Sequence, residues 1–163
     1  MLQTLGAALE GSRLGQYIAV SAWAFPTLEA VHVLFLATVF GSVVIVDLRL
    51  IGLAFNHRRI TELSAEILPI TWTAFLGAVI SGGLLLSSQA TTYLANTSFR
   101  FKMLMLALAA VNMLVFHLVT WRTVELWDER GVPPLAARAA GLLSICFWVG
   151  VVVFGRWIGF TLH

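Results

Sequence analysis

The chain has 163 residues, is 60% hydrophobic with a mean hydropathy of +0.92, and gives only 11% of its positions to Asp, Glu, Lys and Arg. A soluble domain carries about 25% charged residues, so a water-soluble fold is excluded, and the many aromatic and branched residues exclude disorder. The net charge of +2, with basic residues scattered singly, lacks the basic stripe of a nucleic-acid binder, and the single cysteine, Cys146, allows no internal disulfide.

At the N-terminus, Glu10, Arg13 and Gln16 interrupt any apolar stretch, and no basic segment precedes it, so a cleavable signal is not expected. Leu2, Leu5 and Leu9 recur at helical spacing while Gln3, Thr4, Glu10 and Arg13 fall elsewhere, which predicts a short helix at about 2–16 lying in the membrane interface, loosened by Gly11 and Gly15. Four apolar blocks follow, from Ala30 to Val46, Ile67 to Leu86, Met103 to Trp121 and Ala139 to Gly155. Crossing the hydrocarbon takes about 20 mainly apolar residues. The blocks therefore predict four spans, at about 26–54, 65–88, 100–123 and 135–160. Pro26 suits the first turn of the first helix, and Gly131, Pro133 and Pro134 break the connector before the last. Trp23, Trp121, Trp127 and Trp157 lie near span ends, as interfacial belts require. Barrel-type alternation is absent, so the fold class is all-α: one integral membrane domain, a four-helix bundle with an N-terminal interfacial helix.

Arg49, Arg58, Arg59, Arg122, Arg130 and Arg138 fall on the first and third connectors, against Arg13, Arg100, Lys102 and Arg156 on the opposite side. The positive-inside rule then puts both termini outside the cytoplasm. Cys146, within the last apolar run, reads as a small buried hydrophobe. In the second span Ala74, Ala78 and Gly82 form a small-residue row that would serve either the bundle or a homo-oligomer.

Ionisable groups inside a span are expensive and mark functional sites or buried pairs. His32 in the first span and His117 in the third are the clear cases. Imidazole is a common ligand of haem iron and other metals, and the plainer alternative is a hydrogen bond between helices. At 1.5 Å per residue the two histidines differ in depth by roughly 12 Å. That favours two separate sites, or one haem site plus a structural histidine, over one metal shared by both. His57 and His163 fall on the sides of His117 and His32 respectively, and would extend a path of two haems. Met105 or Met113 would offer a thioether as sixth ligand beside His32, and Glu29, three residues before His32, reads either as an interfacial cap close to the headgroups or as a carboxylate that orients the ring. Lys102 and Arg156, with Arg100, read as cations that snorkel to the interface, or that neutralise haem propionates or lipid phosphates, and Asn112 adds a polar group to the third span. Asp47 and Arg49, two apart, read as separate interhelix contacts rather than one salt bridge. No nucleophile elbow, phosphate loop or paired carboxylates suggest hydrolysis.

Ser21-x-Trp23-x-Phe25-Pro26-x-x-Glu29-x-x-His32, Asp47-Leu48-Arg49-Leu50-x-Gly52, Leu68-Pro69-x-Thr71-Trp72, Tyr93-x-x-Asn96-x-x-Phe99-x-x-Lys102, Asn112-x-x-x-Phe116-His117 and Gly155-Arg156-Trp157-Ile158 resemble a family of small four-helix bacterial inner-membrane proteins. The resemblance runs from Ser21 to Phe160 and implies fold and an inner-membrane compartment, where the charge bias of the connectors puts both termini in the periplasm. More distantly the histidine-bearing spans are similar to those of small b-type cytochromes and of copper-resistance D type membrane proteins. The expectation is a haem b-binding cytochrome, with one or two haems on His32, His117 or both, that passes electrons between a quinone or protein redox partner and an acceptor. It is expected to be an electron-transfer protein rather than a hydrolase or transferase. The alternative is a non-redox component: a copper or small-solute transport subunit, or a structural partner in a larger complex.

Overall fold

The computed structural model describes residues 2–128 and 132–161. Arg130, Gly131 and His163 lie outside the described residues, as do the side chains of Leu2 and Leu5. Two short helices open the chain, α1 (Leu2–Glu10) and α2 (Arg13–Val20). The break falls at Gly11–Ser12, where Ser12 caps α2 by accepting from the Gly15 amide at 3.1 Å. Glu10 accepts from the Thr91 amide and hydroxyl at 2.8 and 2.7 Å, fastening α1 to the short helix α5 (Ala90–Ala95). On α2, Tyr17 and Val20 are exposed, and Trp23 just beyond it is 83% exposed, the apolar outer face of an interfacial helix.

Four stretches are long and apolar enough to cross a membrane: α3 (Ala24–Ile51), α4 (Ile60–Ser88), Thr97–Asp128 and α8 (Leu135–Thr161). The third is composite. Helix α6 (Thr97–Val115) passes into a π-helical turn at Phe116–Thr120, a 3₁₀ turn at Trp121–Thr123 and the short α7 (Val124–Asp128). Large apolar side chains such as Leu34 (68% exposed), Leu76 and Val153 point outward along these helices. Such surfaces are untenable in water and ordinary in lipid. The protein is therefore a multi-pass helical membrane protein.

Helix ends are closed by local caps and by contacts from distant parts of the chain. Gly52, at φ +83, closes α3 with its own amide on Arg49 and the Leu53 amide on Leu48, a left-handed cap that glycine makes without strain. Asn96 caps α6 through the Phe99 amide at 3.1 Å and donates to the Thr161 hydroxyl at 2.9 Å, joining the start of α6 to the end of α8. Helix α4 borrows its cap from 68 residues away: Asp128 accepts from the Ile60 amide at 2.6 Å, the Thr61 amide at 3.2 Å and the Thr61 hydroxyl at 2.6 Å.

Helix α3 packs on α4 and α8, and α8 packs on α6. The small-residue row of α4 is used inside this bundle. Ala74 and Ala78 are buried, Gly82 lies under the His32 ring of α3, and a methyl on Gly77 would come within 2.6 Å of Phe35. The row thus serves the α3–α4 contact. Cys146 corrects its sequence expectation: it is exposed on α8, because lipid-facing positions are as apolar as buried ones.

Candidate functional site

Helices α4 and α6, which would close the ring, are not among the packed pairs. Between them lies a cavity of about 240 Å³ floored by α3 and α8. Its walls are aromatic: Trp72 and Phe75 from α4, edge to face at 5.9 Å, Phe116 and Trp121 from the third span, and Trp148 from α8. Small side chains make the space, among them Ser64, Ala109, Ala110 and Ala140.

The floor is polar. Asn112 donates to the Ala140 carbonyl at 2.9 Å, and Thr71 donates to Ser42 at 2.8 Å. Asp47 is only 5% exposed, lines the cavity together with Ser144 of α8, and its Oδ2 has no partner. Asp47 and Arg49 do not pair. Arg49 is 1% exposed and donates through Nε to the Arg58 carbonyl at 2.7 Å, as the separate-contact expectation has it. The salt bridge among the described residues joins Arg58 to Glu66 at 2.6 Å, which raises the Arg58 guanidinium above its ordinary value.

His117 stands on the cavity rim, in the π-helical turn. Turns of this kind are rare and concentrate at functional sites. Its Nδ1 lies 2.9 Å from the Met113 carbonyl. A carbonyl only accepts, so Nδ1 donates and Nε2 is the nitrogen left open to a ligand, the arrangement of a metal-ligating imidazole held by a backbone oxygen. The ring lies 5.7 Å from Trp121, tilted by 30°, and meets Phe116 edge-on at 5.5 Å.

His32 is placed differently. Its Nδ1 is 3.0 Å from the Ser81 hydroxyl, and a methyl on Gly82 would approach Cε1 to 2.9 Å, so the ring is wedged between α3 and α4. Ser81 lies ten residues beyond Thr71 on α4, a rise of about 15 Å from the cavity. The two histidines therefore occupy separate levels, and one metal bound by both is not available. Among the described residues no three His, Cys, Asp or Glu side chains converge to hold a metal ion.

Of the other residues singled out from sequence, Asn112 and Met113 join His117 at the cavity. Met113 therefore does not stand as a partner of His32. Met105 packs against Gly150 in a mid-bundle cluster with Val39 and Trp148. Lys102 lies along Gly155, its Nζ 3.7 Å from where a methyl would sit. Arg156 stacks on Phe160 at 5.1 Å on the exposed face of α8. Glu29 is exposed, and the ring it was expected to orient is held by Ser81. Burial, and after it the Glu29 carboxylate, raises the phenol of Tyr93 on α5. His57 is exposed in the α3–α4 connector. Sequence reasoning missed Asp47, Ser144, Thr71 and Trp148 as cavity residues. The one available signal was an aspartate lying four residues inside the end of an apolar helix.

Four membrane-length helices, an incompletely closed ring and a lateral cavity define a small polytopic helical membrane protein with an internal cavity. The chain belongs to the family of unknown function DUF6644, which matches residues 10–161. No curated protein and no solved structure matches it.

Proposed function

We propose that the protein is a haem b-binding cytochrome of the bacterial inner membrane, with both termini periplasmic, and that His117 supplies the axial nitrogen. The observation that carries this reading is the His117 ring itself: Nδ1 tied to the Met113 carbonyl, Nε2 free, beside a 240 Å³ aromatic-walled cavity. A fixed imidazole with an open Nε2 is what a haem iron would need from this chain, and His117 offers it on the rim of the cavity. Bound haem would supply one-electron transfer, its potential set by axial ligand and local dielectric. Met113 holds the imidazole tautomer, and Trp121 and Phe116 restrict the ring. His32 serves the α3–α4 contact, which favours one haem over two.

The test is the visible spectrum of purified protein, oxidised and dithionite-reduced, expressed with added haem. Soret and alpha bands are expected in the wild type and in His32→Ala, and their loss in His117→Ala. Absence of bands in the wild type overturns the cytochrome reading, and bands retained in His117→Ala overturn the ligand assignment.

A further inference from the structure

The unpaired oxygen of Asp47 points to a ligand with particular chemistry. It belongs to a carboxyl that lines the cavity beside Ser144 and is almost wholly buried. A buried acceptor left unpaired is costly, and native structures rarely keep one without a partner. The cavity opens where α4 and α6 fail to meet, between lipid-facing surfaces, so what enters comes sideways from the bilayer. Its aromatic walls, Trp72 and Phe75 on one side and Phe116 on the other, favour a flat ring. Acyl tails and oxidised quinones carry no hydrogen-bond donor for Oδ2; a ring hydroxyl does.

We propose that the cavity is a binding site for a lipid-soluble quinol, that Asp47 Oδ2 accepts from a ring hydroxyl, and that the site prefers the reduced quinol to the quinone. Ser144 lines the cavity beside the carboxyl, Asn112 is tied to the α8 backbone, and the isoprenoid tail leaves between α4 and α6. As physiology this deepens the electron-transfer reading and rests on it, naming the reductant; as binding it is measured separately.

The experiment is anaerobic titration calorimetry of the full chain in nanodiscs with decylubiquinol and decylubiquinone, with haem content read from the visible spectrum of the same sample. The wild type is expected to bind the quinol at least tenfold more tightly than the quinone. In Asp47→Asn, which keeps the side-chain volume, the ratio should fall below threefold, and Ala110→Phe, on the cavity wall, should abolish binding of both. Equal affinities in the wild type, a preference for the quinone, an unchanged ratio in Asp47→Asn, or full binding in Ala110→Phe each overturn the proposal. If Asp47→Asn does not fold, the wild-type ratio and Ala110→Phe decide alone. A quinol preference in protein without haem bands rejects the cytochrome reading only, and haem bands without a quinol preference reject this one only.

Discussion

Gly82 and Gly83 are adjacent on α4 and offer a paired test of the role given to His32. At Gly83 an added methyl meets nothing within 4 Å, whereas at Gly82 it comes to 2.9 Å from His32 Cε1 and 3.4 Å from Nδ1. Each Gly→Ala change gains about 1 kcal/mol from helix propensity and reduced unfolded-state freedom. Gly82→Ala also forces the imidazole away, an overpacking cost of about 1–3 kcal/mol. Displacing the ring breaks its bond to Ser81, with a further loss of about 0.5–1.5 kcal/mol. The propensity gain cancels between the two variants, so they should differ by the local costs alone, about 1.5–4.5 kcal/mol in favour of Gly83→Ala. At about 2–4 °C per kcal/mol for a chain of this size, the midpoints should separate by about 3–18 °C. The measurement is reversible unfolding in mixed micelles, supported by thermal denaturation in detergent. Equal stability of the two variants, or a more stable Gly82→Ala, would refute the wedged placement of His32 between α3 and α4.

Asp128→Ala removes the acceptor for two amides and one hydroxyl at the start of α4, leaves the buried Ile60 amide unpaired, and should destabilise by about 3 kcal/mol in the same unfolding assay, with Asp128→Asn recovering part of the loss. Glu66→Gln breaks the one salt bridge found among the described residues, yet both partners are solvent-screened, so its unfolding midpoint should coincide with that of the wild type. A clear loss there would show that the Arg58–Glu66 pair orders the α3–α4 connector.

The spans could be read from the sequence because the requirement that sets them is one-dimensional: a backbone in hydrocarbon must be helical, and the hydrocarbon has a fixed thickness. The same rise per residue made the separate levels of His32 and His117 legible before any packing was known. Lateral arrangement is another matter. In a soluble protein, hydrophobicity tells inside from outside, but lipid is as apolar as a helix interface, so Cys146 and Val39 look alike in sequence while one is exposed and the other fully buried. Only the tertiary structure decided that α4 and α6 leave the ring open, that Asp47 meets that opening with an unpaired oxygen, and that the α4 row closes on α3. The cap of α4 by Asp128 and the π turn that carries His117 also had no sequence signature. The first pairs residues far apart in the chain, and the second depends on how the end of the third span packs against Trp121 and Phe116.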